Sequence, residues 1–192
     1  MSEVLKQNQI SVEEFLSGEL VSEFRHEFVD GQVFAMAGAS MNHNRISANL
    51  IRHLGNHLAG TPCEVFNSDM MLKTTKNRYR YPDVMVSCDS GDENEIFLDN
   101  AVLLIEIISQ GTRKTDKEVK RLEYLQLSSL LEYVLIEQDF VEIEVLRRSA
   151  GWQPSYYYLG DEVFLESVNL TLPAVEVYER VVNKELSASF YK

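Results

Sequence analysis

The stretch that decides the fold is Val102-Leu103-Leu104-Ile105-Glu106-Ile107-Ile108-Ser109, a run of branched apolar residues with one glutamate inside it. Such a run predicts a strand that is buried on both faces of a sheet. An ionised carboxylate in that position is costly unless it is paired or binds a cation. Glu106 is therefore the first candidate for a functional residue.

Charged residues also stand at the ends of the neighbouring segments. Asp83 begins the preceding apolar segment, Pro82-Asp83-Val84-Met85-Val86, and a helix predicted after Glu106 contains Asp116 and Lys120. The latter two are four residues apart, so they share one helix face. Two carboxylates at strand ends with a lysine nearby indicate a divalent-metal site that hydrolyses phosphate esters.

Hard cations such as Mg²⁺ and Mn²⁺ prefer carboxylate and water ligands. Asp83 and Glu106 are the predicted metal ligands, and the peptide oxygen of Ile107 or Ile108 is a candidate for a third. Taken singly, the same residues have structural explanations. Glu106 could form a buried ion pair, and an i, i+4 pair of Asp116 with Lys120 is typical of a surface salt bridge.

Periodicity and turn signals predict the remaining elements. Capping boxes at Ser11 and Thr115 and an Asp30-Gly31 hairpin turn mark three boundaries. Helices are predicted at 12–17, 42–58, 116–127 and 173–182, and strands on either side of Asp30-Gly31 and at 64–68, 70–75, 83–87, 102–108, 132–136 and 141–146, with a final hairpin of 152–159 and 163–170. Strand 102–108, helix 116–127 and strand 133–137 form a parallel crossover. The pattern predicts an α/β fold with a mixed central sheet flanked by helices.

The length of 192 residues predicts one domain over 1–192. No apolar run approaches the roughly 20 residues that span a bilayer. Cys63 and Cys88 lack metal-ligand spacing, and we interpret both as buried free thiols in a reducing cytoplasm.

The formal net charge of −12 argues against a general nucleic-acid coat protein. It does not exclude a nuclease, since a metal site is itself acidic and a local basic patch can bind phosphates. Lys73, Arg113 and Lys117 are the candidates for DNA binding, and the alternative is that they are solvated surface residues. Tyr124, one turn after Lys120, is predicted to be a core residue.

Six stretches, taken in order, resemble the "putative restriction endonuclease" domain family of the PD-(D/E)XK nuclease superfamily, over residues 11–145. They are His26-Glu27-Phe28-Val29-Asp30-Gly31-Gln32-Val33, His43 at a helix start, Tyr81-Pro82-Asp83-Val84-Met85-Val86, Leu104-Ile105-Glu106-Ile107-Ile108-Ser109-Gln110-Gly111-Thr112, Asp116-Lys117-Glu118-Val119-Lys120-Arg121-Leu122-Glu123-Tyr124 and Leu131-Glu132-Tyr133-Val134-Leu135-Ile136. The resemblance implies a restriction-endonuclease-like core, with the hairpin and helix at 150–185 outside it.

The resemblance also implies roles for single residues. Asp83 and Glu106 would be the acidic residues of the site. The superfamily lysine would stand at Ile108, and in this family it stands on the following helix, which makes Lys120 the candidate. Glu27 matches a glutamate that joins the metal site, and His43 matches a histidine at the next helix start. Asp116 would position Lys120.

The first hypothesis is a Mg²⁺-dependent DNA endonuclease, with Mn²⁺ as a substitute and a homodimer as the assembly that cuts both strands. The second is a catalytically silent nuclease fold that serves as a binding or assembly module. The third is a hydrolase of a smaller phosphate ester. A positive cleft of duplex width at Lys73, Arg113, Lys117 and Lys120 would favour DNA, whereas a narrow pocket would favour a small substrate.

Overall fold

The computed structural model describes residues 9–89, 91, 96–183 and 185–186. Within these residues the α-helices are α1 Val12–Glu19, α2 Met41–Leu58, α3 Arg121–Tyr124 and α4 Ala174–Val177. The strands are β1 His26–Val29, β2 Gln32–Ala35, β3 Glu64–Asn67, β4 Met71–Thr75, β5 Arg78–Arg80, β6 Val84–Ser87, β7 Phe97–Leu98, β8 Ala101–Ile108, β9 Glu132–Glu137, β10 Ile143–Arg147, β11 Pro154–Tyr157, β12 Glu162–Leu165 and β13 Leu170–Pro173.

A six-stranded sheet in the order β11-β10-β9-β8-β6-β3 forms the centre of the fold. Strands β8 and β9 are parallel, and the other pairs of this sheet are antiparallel. The predicted mixed central sheet and its parallel crossover are therefore confirmed. In the β6–β8 pair Val84 lies opposite Ile105, and one further step of the same register places Asp83 opposite Glu106.

Each face of the sheet is covered by a separate apolar cluster. The α2 residues Ile46, Leu50, Leu54 and Leu58 are buried against the face that includes Leu103, Ile105 and Ile107. The other face includes Leu104, Ile108, Tyr124 and Tyr133. Because successive residues of a strand point to opposite faces, Glu106 shares the second face with Leu104 and Ile108.

A second sheet, in the order β2-β1-β5-β4-β7, stands beside the first. The predicted hairpin is confirmed: β1 pairs with β2, and both turn residues have positive φ, 50° at Asp30 and 89° at Gly31. Strand β5 was not predicted, since it lies between the predicted strands 70–75 and 83–87. It forms a short hairpin with β4, and its other partner, β1, is distant in sequence.

The first two predicted helices are found with small shifts. Ser11 caps α1 with the predicted capping box, in which Ser11 and Glu14 each accept the other's backbone N–H. The helix continues through Gly18 to Glu19 instead of ending at residue 17. Within the described residues, no helix is long and apolar enough to cross a bilayer.

The predicted helix at 116–127 takes a different form. A π-helical turn spans Thr115–Lys120, and α3 follows and ends at Tyr124. The Thr115 capping box does not form. The preceding residue Lys114 is already helical, with φ −66° and ψ −43°, whereas a capping residue needs extended backbone.

The predicted C-terminal hairpin is wrong in its pairing. Strand β11 extends the six-stranded sheet by pairing with β10, while β12 pairs with β13. A short turn divides the predicted strand 163–170, with Asn169 at φ 51°. The predicted C-terminal helix at 173–182 is also too long: Pro173 belongs to β13, and α4 ends at Val177 shortly before a positive φ of 62° at Arg180.

The cysteine prediction is wrong as well. Cys63 and Cys88 form a disulfide with an S–S distance of 1.99 Å, and both are half-buried. Strands β3 and β6 pair with Glu64 opposite Ser87, so the next step of the register places Cys63 opposite Cys88. The two residues are 25 apart in sequence, which is why the chain alone gave no sign of this pairing.

Candidate active site

Strands β6 and β8 bring the two predicted metal ligands together. The backbone N–H of Ile107 donates a hydrogen bond of 2.7 Å to Oδ2 of Asp83, which ties the aspartate to the strand that contains Glu106. The other oxygen of Asp83, Oδ1, lies 3.1 Å from Nε2 of His43 near the start of α2. His43 is thus next to the acidic pair, while the cap of its helix is Ser40.

Lys120 is buried among three of the predicted acidic residues. Its Nζ lies 3.0 Å from Oε1 of Glu106, 3.1 Å from Oε1 of Glu27 and 3.5 Å from Oδ1 of Asp116. These residues come from two strands of different sheets and from one helical turn. The structure therefore brings together Glu27, Asp83, Glu106, Asp116, Lys120 and His43.

Tyr124 takes part in the site, although it was predicted only as a core residue. Its hydroxyl donates a hydrogen bond of 2.9 Å to Oε1 of Glu106, the same oxygen that Lys120 contacts. Its ring packs edge-on against Tyr133 at 5.4 Å, and the Tyr133 hydroxyl donates to the peptide oxygen of Asp116. The spacing of four residues from Lys120 was the signal in the sequence that could have suggested this role.

The carboxylates of the site compete for one ammonium group. Burial would lower the pKa of Lys120, but attraction to Glu106, Glu27, Asp116 and Asp83 outweighs it and raises the pKa above its ordinary value. Burial raises the pKa of Glu106 well above its ordinary value, and it also raises the pKa of Asp116. These carboxylates therefore favour the charged form of Lys120.

A second layer of ion pairs holds Glu27 in place. Arg80 donates to Oε2 of Glu27 at 2.8 Å and to Oε2 of Glu123 at 2.8 Å. Glu123 also accepts hydrogen bonds from Arg78 at 3.2 Å and from the hydroxyl of Thr74. Glu123 thus links the helix that contains Lys120 to the sheet that contains Glu27. Sequence patterns did not point to Glu123 or Arg80, because their contacts join residues more than 40 apart.

We expect Glu123→Gln to lower the free energy of unfolding by about 3 kcal/mol at pH 7, since it removes the buried carboxylate that two arginines share. Arg80 is then paired with Glu27 alone and Arg78 with Asp30 alone. Burial would raise the pKa of Glu123, but Arg80 and Arg78 lower it below its ordinary value of 4.5. Its contribution is therefore present above about pH 4.5 and is lost as the pH falls through the lower pKa of the folded state.

Urea unfolding at pH 7, 5 and 3 measures this effect. The difference between the wild-type protein and Glu123→Gln should be constant from pH 7 to 5 and should shrink at pH 3. Glu118→Gln, an exposed glutamate on the same helical segment, is the control. Equal stability of Glu123→Gln and Glu118→Gln at pH 7 would contradict the proposed link.

A cleft of about 450 Å³ opens onto this group of residues. One side is formed by Glu27, Asp83, Glu106, Asp116 and Lys120. A largely apolar segment also lines the cleft, namely Phe34, Ala35, Met36, Ala37, Gly38 and Ala39. A concave, partly apolar site with convergent charged groups is the usual form of an active site.

The sequence of the chain matches a known protein family over most of its length. The Uma2 family, described as "Putative restriction endonuclease", matches residues 12–180. The chain belongs to this family. Two relatives from Synechocystis sp. are named uncharacterized proteins: slr1290 is 33% identical over 174 residues, which are 88% of this chain and 92% of that protein. The other, sll1609, is 34% identical over 139 residues, which are 70% of this chain and 78% of that protein.

A solved structure has the same fold as this Uma2 chain. It is the crystal structure of a putative nuclease belonging to DUF820 from Anabaena variabilis, with a TM-score of 0.75 and 18% sequence identity. The match covers 90% of this chain and 99% of that one. The predicted restriction-endonuclease-like fold is thus confirmed.

The three residues predicted to bind DNA are not among the residues that line the cleft. Nζ of Lys73 lies 5.3 Å from the ring centre of Phe97. Arg113 lies 2.6 Å and Lys117 3.0 Å from Oε1 of the buried Glu137. Lys117 also lies within 4 Å of two further glutamates of the β9–β10 region, Glu142 and Glu144. Arg113 and Lys117 are therefore already neutralised by carboxylates of their own chain.

The residues of the Uma2 cleft fit a divalent cation in their chemistry. Glu27, Glu106 and Asp116 share one ammonium, and Asp83 is a fourth carboxyl group that contacts His43, so the carboxyl groups of the cleft outnumber its lysine. Both hydrogen bonds of Glu106 to described residues go to Oε1, which leaves Oε2 as its candidate ligand atom. Among the described residues, no three His, Cys, Asp or Glu side chains converge as a complete metal site. Water and substrate oxygens would have to complete the metal shell, as they do for Mg²⁺.

Proposed function

We propose that the protein is a Mg²⁺-dependent endonuclease that hydrolyses phosphodiester bonds of DNA, with Mn²⁺ as an effective substitute. The main support is that Lys120 meets Glu106 and Asp116 in a cleft that Asp83 also lines. Metal-dependent phosphodiester hydrolysis uses carboxylates that bind the cation, and a cationic side chain within reach of the phosphate stabilises the transition state further. Membership of the Uma2 family supports nuclease chemistry on this fold.

Asp83 and Glu106 are the proposed ligands of the cation. The peptide oxygen of Ile107 is the better candidate for a third, since Ile107 lines the cleft whereas the oxygen of Ile108 already accepts the N–H of Gln138. A bound Mg²⁺ would neutralise charge on the phosphate and make a water molecule more acidic. His43 and Tyr124 orient the two carboxylates, at 3.1 Å from Asp83 and 2.9 Å from Glu106.

Lys120 is the proposed catalytic cation. Its ammonium is held by carboxylates on three sides, and it donates hydrogen bonds to the phosphate oxygens as negative charge increases in the transition state. Asp116 positions Lys120 from the same helical turn, 3.5 Å away. Glu27 assists from the second sheet, through its contact of 3.1 Å with Lys120.

Titration calorimetry with Mn²⁺ and Mg²⁺ tests the metal site. The wild-type protein should bind one cation, and Asp83→Asn and Glu106→Gln should each abolish binding because each removes one charged ligand. The titrations are repeated with a phosphorothioate dinucleotide present, since Mg²⁺ sites often complete their shell with substrate phosphate. A folded wild-type protein that binds no cation under either condition would favour the catalytically silent module instead.

A hydrolase of a smaller phosphodiester is the second candidate. The observation in its favour is that Arg113 and Lys117 are ion-paired with Glu137 rather than free to bind a duplex. Hydrolysis of bis(p-nitrophenyl) phosphate with a kcat/KM equal to that for DNA would support this candidate over the endonuclease.

A homodimer remains part of the proposal. A closed symmetric dimer is the commonest assembly of soluble homo-oligomers, and each copy would contribute its own cleft. Light scattering at micromolar concentration would give a mass of about twice the 22.0 kDa chain.

A further inference from the structure

Phe34 is an aromatic residue that the fold leaves 49% exposed on the wall of the cleft. It lies on β2, the outermost strand of its sheet, directly opposite Glu27. Directly opposed residues of an antiparallel pair point to the same face, with Cβ atoms about 5 Å apart. The ring therefore stands on the face from which Glu27 contacts Lys120 at 3.1 Å.

The neighbouring residue on β2, Val33, points to the other face of the sheet. Val33 pairs with Phe28, which is buried in an apolar cluster with Phe15 and Tyr79. Val33 lines a separate depression that includes Phe15. Phe34 faces away from that cluster, and the wall beyond it consists mainly of small residues at 35–39 that leave the ring accessible.

The charges around the cleft do not suit a B-form duplex. Duplex DNA has one phosphate charge per about 1.7 Å of its axis, and proteins bind it with rows of lysine and arginine. Lys120 is the one lysine or arginine among the described residues that line the cleft, and its ammonium is already paired. Arg113 and Lys117, which precede Lys120 in the chain, are paired with Glu137, and Arg121, which follows it, is paired with Glu144.

The size of the cleft leads to the same conclusion. A volume of about 450 Å³ is that of a small-molecule pocket, and it accommodates a nucleotide but not a double helix. A nucleobase offers a flat apolar face that stacks on aromatic rings whatever its sequence. An exposed ring beside the catalytic lysine is the feature that such a base would contact.

From these observations we infer that the cleft takes an unpaired nucleotide and that its base stacks on Phe34, so that single-stranded DNA or an unpaired flap is preferred to blunt duplex. This inference rests on the proposed nuclease function, because it concerns the substrate of the same site. Phe34 would select the substrate, while Lys120 and the carboxylates act on the phosphate.

The test uses a fluorescein-labelled single strand of 20 nucleotides, the same strand in a blunt duplex and the same duplex with an unpaired flap. Binding is measured by fluorescence anisotropy with Ca²⁺, and cleavage with Mn²⁺ on gels. We expect the wild-type protein to favour the single strand and the flap over the duplex by tenfold or more. Phe34→Ala should weaken binding of the single strand about 5- to 150-fold, the range found for loss of one stacked base.

Two variants serve as controls. Phe34→Trp keeps a stacking surface and should retain the preference. Val33→Ala changes the adjacent exposed residue on the opposite face and should behave as the wild type. In Phe34→Ala the KM for the single strand should rise while kcat changes less, because the substitution removes binding and leaves the reacting groups in place.

The outcomes separate this inference from the nuclease proposal. Cleavage of duplex and single strand at equal rates, or equal effects of Phe34→Ala and Val33→Ala, would overturn the role of Phe34 and leave the nuclease intact. Phe34-dependent binding without cleavage would support the inference and contradict the nuclease. A change in the mass of Phe34→Ala in solution without a change in affinity would identify the ring as a subunit contact and overturn the inference.

Discussion

Glu106→Gln and Asp83→Asn are each expected to lower the rate of metal-dependent DNA cleavage by about a thousandfold or more. Each substitution removes one of the two carboxylates proposed to bind the cation. Loss of a single group that stabilises transition-state charge typically lowers kcat by about 10² to 10³. Loss of the cation itself should have an effect at least as large, and the measurement is the initial rate of cleavage of a labelled strand with Mn²⁺.

Both variants should remain folded, which makes the loss of activity interpretable. A glutamine at 106 keeps an oxygen that accepts from the Tyr124 hydroxyl and from Lys120, now at 2.9 and 3.0 Å. An asparagine at 83 keeps an oxygen for the backbone N–H of Ile107. Circular dichroism and the unfolding midpoint in urea verify this.

Glu64→Gln is the matched control for the charge change, because Glu64 is an exposed glutamate on β3 of the same sheet. It should cleave at the wild-type rate. If Asp83→Asn kept full metal-dependent activity, the assignment of the metal ligands would be wrong, whatever the result for Glu106→Gln.

The sequence predicted those parts of the site that depend on local pattern. Glu106 was evident because a charge inside an apolar strand is costly, and the pairing of Asp116 with Lys120 followed from helical spacing. The prediction of Asp83 as a site residue required only that two predicted strands be neighbours in the sheet. The hairpin at Asp30-Gly31 was likewise predicted from a local signal. A tight hairpin turn needs positive φ at both of its central residues, and Asp-Gly is a dipeptide that adopts it.

The features that were missed depend on partners distant in the chain. Arg80 was not among the predicted site residues, yet it is buried between Glu27 and Glu123. Cys63 and Cys88 are brought together by the register of β3 and β6. No local pattern contains such information, because the contact is produced by the pairing of strands and not by either segment alone.

The ion pairs of two residues that were predicted to bind DNA were missed for a similar reason. From the sequence, Arg113 and Lys117 could have been either phosphate-binding residues or solvated surface residues. The structure places both against Glu137, a buried residue on β9 whose position follows from the parallel pairing with β8. Their partners come from a strand about twenty residues further on, so the outcome could not be derived from charge patterning.

Lys120→Met is expected to lower the cleavage rate by about 10² to 10³ while cation binding is retained or becomes tighter. Methionine has a similar length but no charge, so the transition state loses its cationic donor. The ammonium is also a competitor of the metal ion, because it is paired with Glu106 at 3.0 Å and with Asp116 at 3.5 Å. Removing it leaves these carboxylates free to attract a divalent cation.

The same substitution should change stability in a way that depends on the metal. Loss of one partner of a buried ion pair costs about 3 to 5 kcal/mol, here because Glu106 and Asp116 are left without a counter-charge. Saturating Mn²⁺ binds only the folded state and should restore part of this loss. Lys114→Met, an exposed lysine on the same segment, should change neither quantity.

Cleavage kinetics, calorimetry and urea unfolding of Lys120→Met together distinguish the roles that one lysine could have. A slower rate with retained metal binding identifies a cation that acts on the phosphate. A slower rate with lost metal binding would show instead that Lys120 organises the carboxylates, so that a metal site forms only when their repulsion is relieved. A rate above a tenth of the wild type would exclude Lys120 as the catalytic cation. Its ion pairs with Glu106 and Asp116 would then stabilise only the fold.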